Sequence, residues 1–257
     1  MANETIGNKY IPPSRLIGNL YFVGTYEAST HIIDTEDGLI LIDPGYFENL
    51  NTVTDNIRQV GFQVSDIKYI LISHAHLDHM DATEELVKLT NAETFIGRAE
   101  LPLLLGEIFH FPIRSFTPDH LLDDKDTVTL GNTTVTCLST PGHTDGTTSF
   151  FFDIKDGENT YRAGMFGGAG CNTLYKSFLS EHGLPFENRN KFLASVNKLL
   201  DEKVDVFIGN HVQNNNTDKK IAALPFSEKN PFIAPDEWQS FLLERKERIT
   251  QIIKNNE

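Results

Sequence analysis

Sulfur is scarce in this chain. Two cysteines, Cys137 and Cys171, and three methionines among 257 residues exclude a disulfide scaffold, and the cysteine spacing matches no zinc ribbon. Long apolar runs are missing as well. Nothing near 18 consecutive apolar residues occurs, which excludes a transmembrane helix. Basic side chains are few: 22 Lys and Arg against 36 Asp and Glu leave a net charge of −14, which argues against a nucleic-acid partner. Most of those carboxylates read as solvated surface. The opening stretch MANETIGNKYIPPSRLIGNL has neither a basic n-region nor an apolar h-region, so the cytoplasm is the expected location unless a signal peptide was removed. Linkers, low-complexity tracts and exact repeats are also lacking.

What is present suffices for a core. Eighteen Phe, seven Tyr and one Trp supply bulk despite a modest apolar fraction of 39%. One domain over 1–257 is expected, with 1–18 as an N-terminal extension and a C-terminal helix over 236–255. Short β-rich runs at Leu20 to Val23, Thr30 to Ile33 and Gly38 to Ile42 open the chain. A helix around Leu50 to Val60 precedes Ile67 to Ile72, the most apolar strand candidate, read as buried on both faces. A helix from about Ala82 to Leu89, a strand at Glu93 to Ile96 and a helix near Ala99 to Leu105 close this half. The second half contains a hairpin, Thr127 to Leu130 and Thr133 to Leu138 about a Gly131-Asn132 turn, then strands at Ser149 to Ile154 and Tyr161 to Met165. Phe192, Leu193, Val196, Leu199 and Leu200 share a helical face, and Val206 to Ile208 forms a strand. Two β-rich halves, each with flanking helices, predict an α/β protein of two packed sheets under outer helices, a four-layer αββα sandwich.

The nine histidines are unevenly spread. Three fall within six residues at the end of the buried strand, in Ser73-His74-Ala75-His76-Leu77-Asp78-His79. In extended chain His74 and His76 point to one side. A bend into a helix can turn Asp78 and His79 toward the same point. Imidazole and carboxylate together suit zinc, and less often iron or manganese. So short a loop cannot comfortably aim four ligands at one ion, so two ions, with Asp78 and His79 on the second, are the natural solution. Further ligand types follow other strand ends: His143 in Thr140-Pro141-Gly142-His143-Thr144, and His211 after Val206 to Ile208. His31, His110, His120 and His182 have no such setting and are expected to play no part.

With these motifs the chain resembles the metallo-β-lactamase superfamily. His74-Ala75-His76-Leu77-Asp78-His79 matches its His-x-His-x-Asp-His signature, followed in order by Pro141-Gly142-His143 and His211. Asn19 to Gly24, Gly38 to Asp43, Leu130 to Thr134, Pro141 to Thr144 and Asn230-Pro231-Phe232 are similar to the third, di-zinc subclass. The resemblance implies His74, His76 and His143 on a first metal and Asp78, His79 and His211 on a second, with Asp43 steadying the ligands from behind. Much of the superfamily has a metal-bridging Asp where this chain has Met165, a residue expected to pack rather than coordinate. Lactamases of this type hold the drug's carboxylate with serine hydroxyls where this chain has Gly167-Gly168-Ala169-Gly170. Gly167 and Gly168 could bind an anion through backbone N–H groups, and Asn214 among Asn214 to Asn216 could bind a carbonyl. Tyr46, Phe47 and the Phe109-His110-Phe111 stretch could line the mouth. Cys171 is expected to be structural.

The chemistry implied is hydrolysis of a small-molecule substrate. Two cations lower the pKa of a shared water from about 15.7 toward ~7, and the hydroxide attacks a carbonyl polarised by the first ion. Asp78 is the catalytic candidate, orienting the hydroxide and passing its proton to the leaving group. A cyclic amide is the leading substrate class, with a lactone or thioester as the alternative on the same metals. A mono-iron oxygenase using His74, His76 and His143, and a noncatalytic metal module, are further readings.

Overall fold

The structure is a computed structural model that describes residues 10–106 and 114–257. Seven strands form a first sheet in sequence order: β1 (Ser14–Ile17), β2 (Leu20–Phe22), β3 (His31–Asp34), β4 (Leu39–Ile42), β5 (Ile67–Ile72), β6 (Glu93–Gly97) and β7 (His120–Leu122). The first four pair antiparallel, and β4 through β7 run parallel. A second sheet is ordered β12 (Val206–Phe207), β11 (Asn159–Met165), β10 (Thr148–Asp156), β9 (Thr133–Ser139) and β8 (Thr127–Leu130). Its pairings are antiparallel except β11 with β12. The β8–β9 hairpin turns on Gly131-Asn132, with Gly131 left-handed at φ 50°.

Period-two alternation explains the layering. Ile40, Ile42, Phe22 and Ile33 of the first sheet meet Phe150, Phe152, Val135 and Ala163 of the second in a central core. Their neighbours Leu39, Leu41, Ile32, Ile70 and Ile72 face outward onto Val53 and Ile57 of the helix Leu50–Gln59 and Leu86 of Thr83–Thr90. On the far side Phe151 and Phe207 pack on Phe192, Val196 and Leu199 of Asn188–Leu199 and on Trp238, Phe241 and Leu242 of Pro235–Asn255. The expected αββα sandwich is what forms. Pro235 occupies the first turn of the C-terminal helix, where its missing N–H has no partner to lose.

Two expectations need correction. Ser14–Ile17 lies within the stretch expected to be an extension, yet it is β1, with Leu16 and Ile17 in the core. The β5 strand is not apolar on both faces throughout, because Lys68 is exposed and Tyr69 half-buried ahead of buried Ile70 to Ile72. Among the described residues no helix is long and apolar enough to cross a membrane.

Candidate metal centre

Chain segments leaving one edge of the two sheets build the site. The loop after β5 carries Ser73 to His76 into the short helix Leu77–Met80, whose first turns close with His79 and Met80 N–H donating to His76 O at 3.0 and 3.1 Å. The loop after β9 carries His143. It needs glycine at Gly142, which has φ 136° and where a Cβ would lie 2.4 Å from Phe192 N. His211 follows β12 and precedes the short helix Val212–Asn215.

These segments gather six side chains into two triads, His74, His76 and His143, and Asp78, His79 and His211, the ligand-type atoms of each lying within 4.8 Å of one another. In the first, His76 Nδ1 is 3.1 Å from both His74 Nε2 and His143 Nε2. In the second, His79 Nε2 is 3.3 Å from His211 Nε2 and from Asp78 Oδ2, with His211 Nε2 to Asp78 Oδ2 at 3.5 Å. Four-coordinate cations with bonds of about 2.1 Å place neighbouring donors about 3.4 Å apart, so these spacings are edges of a coordination polyhedron. The triads adjoin, with the His74 and His79 ring centres 4.2 Å apart.

Outer contacts set which nitrogen faces inward. His143 Nδ1–H donates to Gly170 O at 2.9 Å, and His211 Nδ1–H to Glu27 O at 2.8 Å. His79 Nδ1–H donates to Asp43 Oδ2 at 2.8 Å, and His74 Nδ1–H to Ser73 Oγ at 3.0 Å. Ser73 in turn donates its hydroxyl to Asp43 Oδ2 and its N–H to Asp43 Oδ1, both at 2.7 Å. One buried carboxylate therefore braces both triads. Each contact assigns the proton to Nδ1 and leaves the Nε2 lone pair directed inward. Lone pairs converging at 3.1 to 3.3 Å repel unless a cation lies between them, so the donor set fits metal ions. Asp43 holds its place at φ 54°, a strained value for a residue with a Cβ.

Burial and neighbours divide the charges. Burial, reinforced by the surrounding imidazoles, keeps His74 well below the ordinary histidine value, and burial brings His76 down to about 4. His143 and His211 are lowered by burial and then by His76 and His79 respectively. His79 goes the other way: burial opposes its charge, but Asp78 and Asp43 raise it to about 10, so without a cation Nε2 holds a proton between Asp78 and His211 that a bound cation would displace. Burial works against the Asp78 carboxylate too, and the facing His79 outweighs it, holding Asp78 below the usual carboxylate range.

Other expected residues fall elsewhere. Met165 is buried in the central core at a β11 position paired with Phe150. Gly167 does not present its N–H to an anion, because that N–H donates to Ser149 Oγ at 3.2 Å and its carbonyl accepts from Asn210. Gly168 is buried against His143, where a Cβ would lie 2.8 Å from that residue's Cβ. The Asn214 amide donates to Asn210 Oδ1 and the Asn215 amide to Phe207 O, so both brace the His211 loop instead of facing a ligand. Tyr46 is half-buried near Asp78, and Phe47 lies under the Arg114 guanidinium at 3.9 Å. Phe109-His110-Phe111 lies outside the described residues. Burial pushes the Cys171 thiol up to about 11, in keeping with a structural role. His120 pairs with Glu93 at the surface and His182 bonds Phe178 O. His31 is not a surface residue: it is fully buried, and its Nε2–H donates to Gly209 O, two residues before His211.

Three contributors had no sequence signal. Ser73 and Thr173 bond His74 and His143, and Glu100 is fully buried between the two loops of the first triad. Burial pushes Glu100 up to about 7 against the pull of its hydrogen bonds. A cavity of about 210 Å³ opens beside His76 and His143, walled by Leu103, Phe178, Leu184 and Pro185.

The chain is similar in sequence and fold to known proteins. A solved structure of the FEZ-1 metallo-β-lactamase from Legionella gormanii superposes with a TM-score of 0.90 at 29% identity over 98% of both chains. BJP-1, a subclass B3 metallo-β-lactamase of Bradyrhizobium japonicum, gives 0.84 at 30% identity over 95% of this chain and 94% of that one. Among curated relatives, the probable polyketide biosynthesis zinc-dependent hydrolase PksB of Bacillus subtilis is 28% identical over 127 residues, 49% of this chain and 51% of its own length. The chain spans about half the length of the curated relatives it matches. Residues 23–157, which include the first five ligand-type side chains, match the family model of the metallo-β-lactamase superfamily, and the chain belongs to that superfamily.

Proposed function

We propose that this chain is a zinc-dependent hydrolase that opens a cyclic amide, with two cations per chain held by His74, His76 and His143 and by Asp78, His79 and His211. The observation that carries this reading is the pair of adjoining triads braced by one carboxylate, Asp43. When bound, two zinc ions supply an activated water near neutral pH and a Lewis acid for the substrate carbonyl. The chain's own residues supply the rest. Asp78 stays ionised, and one of its oxygens faces His79 and His211. Its carboxylate is the group that orients the water and carries a proton to the leaving atom. Leu103, Phe178, Leu184 and Pro185 give the non-reacting part of a substrate an apolar wall beside His76 and His143.

A lactone or thioester is the second reading, and one feature favours it. The loop after β11 carries no serine hydroxyl at 167–170, and the Gly167 N–H is already bonded to Ser149, so no carboxylate anchor of the lactamase kind stands there. The test is metal content per chain together with turnover of a chromogenic β-lactam, a lactone and a thioester, with and without chelator. Two zincs and chelator-sensitive β-lactam turnover are expected. Turnover of the lactone or thioester alone moves the substrate class, and one iron per chain without hydrolysis overturns the hydrolase.

A further inference from the structure

Glu100 has no exposed surface and makes no contact with solvent that would explain a carboxylate there. It lies just after β6, where the chain runs against the loop between β9 and β10. That approach is close: a Cβ on Gly97 would lie 2.1 Å from Gly146 O, and a Cβ on Gly146 would lie 2.3 Å from Glu100 N. The two carboxylate oxygens are divided between two loops. Oε2 accepts the Ala75 N–H at 2.9 Å, and Ala75 is the residue between His74 and His76. Oε1 accepts the Gly146 N–H at 2.8 Å and also the hydroxyl of Thr144, the residue after His143.

Burying a carboxylate is costly, and nearby main-chain bonds already tie the β9–β10 loop to itself and, at one point, to Ser73. Thr148 N–H donates to Ser73 O, Thr140 N–H to Thr147 O and Gly142 N–H to Thr144 O, each at 2.8 Å. None of these reaches the stretch between His74 and His76. Glu100 is the group that joins that stretch to the His143 loop. It is a clamp on backbone and hydroxyl donors, one residue away from each of three ligand-type histidines.

We propose that Glu100 is the positioning residue of the first triad, holding the His76 loop and the His143 loop at the separation a shared cation requires while touching neither cation nor substrate. The proposal rests on reading His74, His76 and His143 as a metal site. It differs from a charge effect, which would change affinity while leaving the geometry of the bound ion as it was. It differs also from plain packing, which an isosteric residue would preserve. Glu100→Gln keeps the shape but cannot accept on both sides, because its NH2 must face the donor of one loop.

Cobalt(II) is the probe, titrated into apoprotein carrying His211→Ala, which leaves the first triad as the complete one. Absorption bands of the bound ion report its geometry, chelator competition reports affinity, and near-UV circular dichroism reports folding. Glu100→Gln in this background is expected to fold natively, bind cobalt about 10- to 100-fold more weakly and shift its bands. In the background with His211 intact, the second triad is expected to keep its affinity. Equal affinity and unchanged bands in the Gln variant overturn the positioning role, as does equal weakening of both triads. Should the Gln variant lose its native spectrum, Thr144→Val removes one donor to the clamp: a several-fold weaker first triad supports the role and an unchanged one overturns it. If the His211→Ala parent binds no cobalt, the metal-site reading itself fails, and this inference with it.

Discussion

The two triads are both rich in histidine, yet His79 of the second holds a proton that the histidines of the first give up. In the first, His74 and His143 lie well below the ordinary histidine value and His76 at about 4, because burial dominates, the neighbouring imidazoles reinforce it, and Asp78 opposes it at His76 and His143 without bonding either ring. In the second, His79 is equally buried but rises to about 10, because Asp78 and Asp43 face it from two sides. Burial alone therefore does not decide the state of an imidazole; the nearest carboxylate does. The first triad presents three neutral imidazoles, and the second sets neutral His211 and the protonated His79 beside the anionic Asp78. Asp43 is what the two have in common.

The largest break in this comparison comes from removing a donor. His76→Ala should reduce hydrolysis to background and lose the cation of the first triad, whereas His182→Ala, at a residue bonded to Phe178 O, should leave both unchanged. Equal effects in metal analysis and turnover would contradict the assignment. A smaller and more even loss is expected from Asp43→Asn. Asparagine tolerates the φ of 54°, so the backbone survives, but one carboxylate oxygen becomes an NH2 group that must face either the Ser73 N–H or the Ser73 hydroxyl and His79 Nδ1–H, so the bracing set cannot be kept whole. Affinity should fall by about 10- to 100-fold at both triads, measured by chelator competition, and a loss confined to one triad would show that the brace is not shared.

The smallest effect concerns His31, which supports the second triad through Gly209 O. Burial lowers its pKa from 6.5 to about 4 in the folded protein. Between those values the unfolded chain binds the extra proton, so stability from this group is complete above pH 6.5 and is lost as pH falls toward 4. His31→Gln keeps a donor for Gly209 O without the titration. Urea unfolding of the apoprotein from pH 7 to 4 should therefore show a shallower loss in the variant, and parallel curves would contradict it.

Much of the fold and most of the gathered side chains were legible because their signals are local. His74, His76, Asp78 and His79 sit within six positions after an apolar strand, Asp43 directly follows β4, and the Gly131-Asn132 turn marks its own hairpin. What escaped depends on distant chain. Glu100 is an ordinary glutamate in Arg98-Ala99-Glu100-Leu101 until Ala75 and Gly146 close around it. Ser14–Ile17 is polar at one end and becomes a strand only by pairing back on β2 across Gly18, which turns at φ 49°. A Gly-rich run at 167 and 168 is open to either an anion nest or a plain turn, and what decides is distant chain: the lack of a side chain lets the loop lie against Thr148 and His143. His31 looked bland for the converse reason: a lone histidine in a strand shows nothing of what its other end will touch.

Anomalous diffraction at the zinc edge from crystals of the zinc-loaded protein tests the centre most directly. Two peaks are expected, one about 2.1 Å from nitrogens of His74, His76 and His143 and the other at similar distance from Asp78, His79 and His211. A single peak, or peaks away from these side chains, would contradict the paired centre.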